Sequence, residues 1–342
     1  MAATAVYYHP LFLEHDTGEF HPESAERLVA ARRALVESGL DIEWLTPAEA
    51  TVDQVARVHS PAYVDSVRQI SQRGGGSLDW DTAISPDSYR AALLAAGAGI
   101  QAVTDALGTG RPAFLLVRPP GHHAGRTRGM GFCLFNNIAV ATAHARAALG
   151  VERVLIVDWD VHHGNGTQDI FYDDPHVLYM SFHEKNHYPG TGAVGDVGKG
   201  AGAGFTVNAP LSSGSGDGAP LLFFRALVEP LAREWRPELI LVSSGFDSQA
   251  GDPLGDLDLS GTAYQWMAAR LVALTHELGV PAPVCFLEGG YDPGRMAASI
   301  VLTVRGLRGE PVEFQPRVTV AEERDVSAAV EEMRPYWEGV IR

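Results

Sequence analysis

Five short stretches of this 342-residue chain are built around unbroken apolar runs: "PAFLLVRPP" (112–120), "RVLIVDW" (153–159), "HVLYMSFH" (176–183), "ELILVSSGF" (238–246) and "PVCFLEGGY" (283–291). A strand with one wet face alternates apolar and polar residues, whereas an unbroken run needs cover on both faces. Longer segments of helical character separate the runs. "PESAERLVAARRALVESG" opens near Pro22 and closes on Gly39, as helices favour, and the Ala-rich "DSYRAALLAAGAGIQAVTDALG" follows it. "NNIAVATAHARAALG" and "GTAYQWMAARLVALTHELG" read the same way, "AVYYH" adds an early strand, and residues 322–342 read as a terminal helix. This alternation predicts an α/β fold: an open, largely parallel sheet covered by helices on both faces. No internal repeat or linker divides the chain, so a single domain over residues 1–342 is expected. The glycine-rich stretches "RGGGSLDWD", "YPGTGAVGDVGKGAGAGF" and "SSGSGDGAP" read as loops. None has the strand–GxGxxG–helix setting of a dinucleotide site.

The polar residues that stand out fall just after these runs. In an open parallel sheet, the carboxyl ends of the strands form the crevice where ligands bind. His122 and His123 follow "FLLVRPP"; Asp158, Asp160 and His162 follow "VLIV"; Asp247 and Asp252 follow "LILVSSGF"; Tyr291 follows "VCFLEGG". Four strand ends thus deliver polar groups to one rim.

Asp160 and His162 are spaced i, i+2, which in extended chain puts both side chains on one face. A carboxylate and an imidazole there form half of a mixed oxygen–nitrogen metal site. "SQAGDPLGD" can supply the missing carboxylate, assigned here to Asp252. Two aspartates and one histidine leave a coordination position open for water, as catalytic zinc requires. The same donors accept Fe(II), Co(II) or Mn(II). The plainer alternative is that Asp158 and Asp160 only cap loops.

Metal-assisted amide hydrolysis also needs a base, an acid and an oxyanion donor. The tandem histidines can move the protons if each ring has its outer nitrogen held by a partner, and Asp158 and Asn165 are placed to be those partners. An aspartate favours the imidazolium more than an asparagine does, so His123 against Asn165 is the better neutral base. Tyr291, after two glycines, can turn its hydroxyl toward the oxyanion.

Charge and cysteine usage narrow the class further. With 42 acidic against 26 basic residues, the formal charge is −16. That argues against a nucleic-acid surface and suits a cationic substrate. Cys133 and Cys285, the two cysteines, lie in apolar stretches and read as buried thiols of a reducing compartment, not as a zinc knot or disulfide framework. "MAATAVYYHPLFLEHD" lacks the order of a signal peptide. No apolar run is expected to approach the roughly 20 residues of a membrane span. The expectation is a cytoplasmic protein with no nucleic-acid or membrane partner.

The combined pattern resembles the histone deacetylase family, with the acetylpolyamine amidohydrolases and bacterial deacetylase-like amidohydrolases. The matching pieces are "HPESAERL", "RPPGHHA", "GFCLFNNIAVA", "DWDVHHGNGTQDIFYDDPHVLYMSFH", "YPGTG", "SSGFDSQAGDPLGD" and "LEGGYD", in family order over residues 21–292. The class II branch fits best. The resemblance implies the arginase-deacetylase fold, with about eight parallel strands, and a zinc-dependent hydrolase of acyl-lysine or acylated polyamines. Carried over by motif, Asp160, His162 and Asp252 become zinc ligands, His122 and His123 the catalytic pair with His123 as base, Asp158 and Asn165 their partners, and Tyr291 the oxyanion donor. Gly131 and Phe132 in "GMGFC" and Tyr188 in "HYPGTG" match the walls that clasp the acyl-lysine stem, although many relatives have Phe in place of Tyr188. Asp81 or Thr82 is expected to hold substrate backbone at the rim, and Leu259 to lie near the mouth. Asp158, Asp160, His162, Ser181 and Phe182 match an inner potassium site; Phe171, Asp174, Val177 and Phe205 match an outer one. The resemblance also allows a homo-oligomer.

Two other readings remain open at this point. A binuclear manganese hydrolase of the arginase sort would need carboxylates bridging a second metal where His122 and His123 stand. A catalytically silent acyl-amine binder would be expected to lack a ligand, His123 or Tyr291, and none is missing.

Overall fold

In chain order the strands are β1 (Thr4–Tyr7), β2 (Ile42–Leu45), β3 (Gly76–Ser77), β4 (Ala83–Ile84), β5 (Ala113–Leu115), β6 (Val154–Asp158), β7 (Val177–Glu184), β8 (Thr206–Leu211), β9 (Leu239–Ser244) and β10 (Val284–Leu287). They come from a computed structural model that describes residues 3–341. Met1, Ala2 and Arg342, at the ends of the expected single domain, lie outside the described residues. Eight strands form one sheet in the order β2-β1-β5-β10-β9-β6-β7-β8, and every neighbouring pair is parallel. β3 and β4 make a separate antiparallel hairpin.

The five apolar runs become β5, β6, β7, β9 and β10, and every residue in them is buried. Four strands were not anticipated: the short hairpin strands β3 and β4, of which β3 falls in the stretch "RGGGSLDWD" read as a loop, and two strands of the main sheet. β2 ("IEWL") is a half-exposed edge strand, and β8 ("TVNAPL") carries Asn208 and Pro210. Both lie at the ends of the sheet, where a strand needs no continuous apolar face and proline is tolerated. The four central strands, β5, β10, β9 and β6, are those followed by the polar residues of the candidate site. Chain order reverses among them, which makes their carboxyl ends a topological switch point.

One expectation is corrected. The helix Ser88–Thr109 is long and apolar enough to cross a bilayer by length and composition, although no such run was expected. In the fold it is a core helix, with 72% of that window buried. Its small residues allow close packing. A Cβ on Gly97 would lie 1.9 Å from the Ala48 carbonyl, and one on Gly99 would lie 2.7 Å from the Phe286 ring. The expected terminal helix is Val320–Met333, started by a capping box between Thr319 and Glu322.

Candidate active site

Beyond Asp158, at the end of β6, the chain crosses the carboxyl edge of the sheet. Trp159 N–H still donates to the Ser243 carbonyl of β9 at 3.2 Å. Asp160 Oδ1 accepts the His162 N–H at 2.9 Å and lies 3.2 Å from His162 Nδ1. Asp160 Oδ2 accepts the Gly289 N–H at 2.8 Å. Asp247 Oδ2 lies 3.3 Å from the same Nδ1. Asp160, His162 and Asp247 therefore present three ligand atoms within 4.8 Å of one another, all on buried residues.

This cluster could hold a cation. Asp247 Oδ1 accepts the Val161 N–H at 2.9 Å, but among the described residues Oδ2 is buried without a hydrogen-bond partner, its nearest cationic neighbour being His162 Nδ1 at 3.3 Å. Burial, reinforced by the Asp160 charge, pushes the Asp247 carboxyl up to about 7. Burial opposes charge on His162, yet Asp160 and Asp247 together raise it to about 10. A proton there is the smallest ion that satisfies the two carboxylates. The donor set of two carboxylate oxygens and one imidazole nitrogen fits a catalytic zinc or a similar divalent metal.

Asp252, the expected third ligand, does not join this cluster. One of its oxygens accepts the N–H groups of Tyr291 (2.6 Å) and Asp292 (3.2 Å), and the other accepts that of Leu254 (3.0 Å). The reason is distance along the chain. Asp247 stands three residues past the end of β9 and still faces β6, whereas Asp252 lies beyond a turn at Gly251, with φ +81°. Asp252 instead fixes the backbone that carries Tyr291.

The two histidines are held as their expected partners require. His122 Nδ1 lies 3.2 Å from Asp158 Oδ2, and His123 Nδ1 lies 2.8 Å from Asn165 Oδ1. Their ring centroids are 4.0 Å apart. Burial disfavours charge on both, and their neighbours then divide them. Asp160 and Asp158 carry His122 up to about 10, while the charges of His122 and His162 drive His123 further down, well below its ordinary value. The surroundings thus favour the charged form of His122 and the neutral form of His123. Tyr179 adds a hydroxyl to Asp158 Oδ2 at 3.0 Å.

Sequence reasoning passed over the groups that hold this pair from behind. Glu288, in "LEGGYD", is fully buried; its Oε2 accepts the N–H groups of Gly121 (2.7 Å) and His122 (3.1 Å), and its Oε1 accepts the Ser243 hydroxyl (3.2 Å). Arg27 donates to the Gly290 and Glu288 carbonyls at 2.6 and 2.5 Å and lies 5.0 Å from the centre of the Tyr291 ring. Glu23 bridges Arg27 and Arg118. Buried charged residues in "HPESAER" and "VRPP" were the available signal, because such groups are rarely buried unless paired.

In front of these three donors lies a cavity of about 280 Å³, with His123, His162, Phe132, Tyr188 and Tyr291 in its wall. Phe132 and Tyr291 pack edge to face at 5.7 Å, and Tyr188 stands edge to face with His123 at 5.3 Å. Gly131 makes this possible. Its φ is +55°, and a Cβ would lie 2.4 Å from His123 Cδ2 and 3.0 Å from Tyr188 Cε1. The Tyr188 hydroxyl is buried with no hydrogen-bond partner among the described residues, a polar atom where a Phe would have none. Burial keeps the Tyr291 phenol well above its ordinary value, so it remains a proton-bearing donor.

At the rim, Asp81 lines the cavity, and burial followed by the Asp79 carboxylate raises it to about 6. Thr82 is fully buried and supports Phe132 by accepting its N–H at 3.1 Å. Leu259 is not at the mouth. It is fully buried, its N–H bonded to the Ser248 carbonyl at 3.1 Å, and Leu254 lines the cavity instead. Trp80, His187, Pro253 and Asp256 also line it and were not singled out from the sequence. Ser181 pairs with Asp158 across β7 and β6 beside the buried Phe182, and its hydroxyl shares a 3.0 Å bond with His183 Nδ1. The Phe171, Asp174 and Phe205 carbonyls accept the Asp174, Val177 and Tyr179 N–H groups, and the Asp174 carboxylate engages Arg146.

The arrangement is a buried O/N/O donor set able to hold a metal, two adjacent histidines held by different partners, and a phenol in the wall of an aromatic slot. The chain matches the histone deacetylase domain over residues 21–307. It belongs to the histone deacetylase family. The "Probable deacetylase" of Methanothermobacter thermautotrophicus is 41% identical to this deacetylase-family chain over 300 residues, 87% of this chain and 88% of that protein. "Histone deacetylase 14, chloroplastic" of Arabidopsis thaliana is 37% identical over 312 residues, 85% of this chain and 74% of that one. "Polyamine deacetylase HDAC10" of Homo sapiens is 41% identical over 328 residues, covering 90% of this chain and 48% of that protein, so the chain spans about half its length. Among solved structures, the HDA15 HD domain matches with a TM-score of 0.93 at 38% identity, over 99% of this chain and 96% of that one. The sheet is that of the arginase-deacetylase fold, and membership makes the chain an amidohydrolase of the deacetylase kind.

Proposed function

We propose that this chain is a zinc-dependent deacylase that removes an acyl group, chiefly acetyl, from acyl-lysine in a peptide or protein. The observation that carries this reading is the orphaned Asp247 Oδ2 beside Asp160 and His162, facing a neutral His123 at the base of an aromatic cavity. Asp160, His162 and Asp247 would hold the metal, which when bound polarises the acyl carbonyl and acidifies water. Phe132 and Tyr188 admit an uncharged N-acyl alkyl chain and disfavour a hydrated ammonium. His123 takes a proton from the attacking water as the new C–O bond forms. Tyr291 donates its hydroxyl to the developing oxyanion. As the C–N bond breaks, protonated His123 returns the proton to the departing amine, leaving a free amine and a carboxylate. His122, held charged by Asp158 and Asp160, keeps a positive potential beside the reacting carbonyl.

Acetylpolyamine hydrolysis is the second reading, favoured by the relatives named polyamine deacetylase and by Asp81 and Asp256 at the mouth. Structural potassium also belongs to the proposal. An inner ion would sit at Asp158, Asp160, His162, Ser181 and Phe182, and an outer one at the Phe171, Asp174, Val177 and Phe205 backbone. The test is turnover of paired panels of acylated lysine peptides and acylated polyamines, with metal content assayed alongside. In a Tyr291→Phe variant kcat should fall by about a hundredfold or more with metal retained. Wild-type protein that binds zinc but turns over neither panel would sink the enzyme reading.

A further inference from the structure

A second cleft, of about 460 Å³, opens beside the mouth of the catalytic cavity and shares Trp80, Asp81, Phe132 and Leu254 with its wall. Its outer side is the segment 17–22, in which Phe20 is 92% exposed, and Trp80 in the same cleft is 84% exposed. Scattered exposed apolar residues mean little, but two large aromatics on one cleft that continues into an active site mark a binding surface. The segment is braced. His21 Nε2 bonds the Asp81 carbonyl at 3.0 Å, its Nδ1 accepts the Glu23 N–H at 3.1 Å, and its ring packs edge-on against Phe132 at 4.6 Å. Charge around the cleft is one-sided: Glu19 and Asp81 line it, Asp256 lines the neighbouring cavity, and among the described residues neither wall contains a lysine or arginine. Aromatic faces beside carboxylates attract a cation both through the ring quadrupole and by direct charge.

We propose that this side cleft is a specificity subsite for the cationic side chain of a lysine or arginine next to the acyl-lysine of a peptide substrate. The proposal rests on the deacylase reading above. A peptide fits better than a polyamine because the cleft branches from the cavity. An acylpolyamine is one unbranched chain, so with its acyl end in the cavity it has no second arm to place in the cleft while the first continues outward. A peptide divides at the mouth, sending the acyl-lysine into the cavity and a neighbouring side chain into the cleft.

The test uses the whole metal-loaded chain with matched acetyl-lysine peptides that carry arginine, its uncharged isostere citrulline, or glutamate beside the acetyl-lysine. Acetylated polyamines run in parallel, and every substrate is assayed on the wild type, Phe20→Ala and Glu19→Gln. The expected result is a kcat/KM for the arginine peptide about fivefold or more above the citrulline peptide, with glutamate lowest. In both variants that ratio should fall below about twofold. Equal turnover of arginine and citrulline peptides, or a ratio that survives both substitutions, overturns the subsite and leaves the deacylase reading intact. An acetylpolyamine that outruns every peptide and loses its lead in Phe20→Ala overturns the assignment to peptides. Absence of any peptide turnover by the zinc-loaded wild type overturns the deacylase reading itself.

Discussion

At the floor of the cavity, His122, His123, Asp158, Asp160 and Asn165 each have a polar partner within 3.2 Å and are almost shut off from water. At the mouth, Phe20 and Trp80 stand 92% and 84% exposed. The two regions meet at Phe132, which lines both cavity and cleft. On the floor, changing one group strands a buried partner, which costs several kcal/mol for a charge. At the mouth a side chain can change with little cost to folding. Side chains on the floor are therefore tightly constrained by folding, and those at the mouth are not.

The largest expected effect separates two aspartates of one loop. Asp247→Asn should cut metal affinity and kcat/KM by at least about a hundredfold, whereas Asp252→Asn should keep its metal and lose about tenfold in kcat through a displaced Tyr291. Metal content after dialysis, measured beside kinetics, decides it; metal loss in Asp252→Asn with retention in Asp247→Asn would reverse the assignment. Next comes Gly131→Ala, at the boundary between floor and mouth. The new Cβ meets His123 at a position whose φ is +55°, so about 2 kcal/mol of stability and about tenfold in activity should be lost. Denaturant midpoints within error of wild type would show that the backbone there gives way.

Acid should weaken the buried interior more than the mouth. Burial lowers the imidazoles of His15, His59 and His183 to about 4. The unfolded chain takes up these protons near 6.5 and the folded chain does not, so their stability is full above that pH and is lost as pH falls toward 4. Asp247 and Glu288, raised to about 7, act in the opposite direction between roughly 7 and 4. A bound cation keeps Asp247 ionised and removes its opposing share. Metal-loaded protein should thus lose stability more steeply below pH 6.5 than metal-free protein, and equal slopes in chemical denaturation would contradict that. The smallest effect belongs to the mouth: Phe20→Ala should shift stability by no more than about 0.5 kcal/mol, read as an unchanged thermal midpoint.

How far the sequence reached follows from what is local. Unbroken apolar runs need two covered faces, so β5, β6, β7, β9 and β10, and with them a parallel sheet, were legible. Asp160 with His162 was legible too, because an i, i+2 spacing fixes a shared face. The pairing of His122 with Asp158 and of His123 with Asn165 followed from chemistry once the strand ends were known to meet. Edge strands β2 and β8 were not legible, since an edge needs no apolar continuity. Nor was Glu288, whose backbone N–H partners lie more than 160 positions away in "GHH".

The chain by itself determined the fold class, the strand ends that carry polar groups and the residue types of the chemistry, all set by short-range periodicity and spacing. Only the tertiary structure decided that Asp247 and not Asp252 faces His162, that Leu254 and not Leu259 lines the mouth, and that Phe20 and Trp80 share a cleft. Each of these turns on how a loop folds back after leaving its strand. The path of such a loop is set by distant partners, such as the Tyr291, Asp292 and Leu254 N–H groups that take up Asp252, and not by the residues beside it.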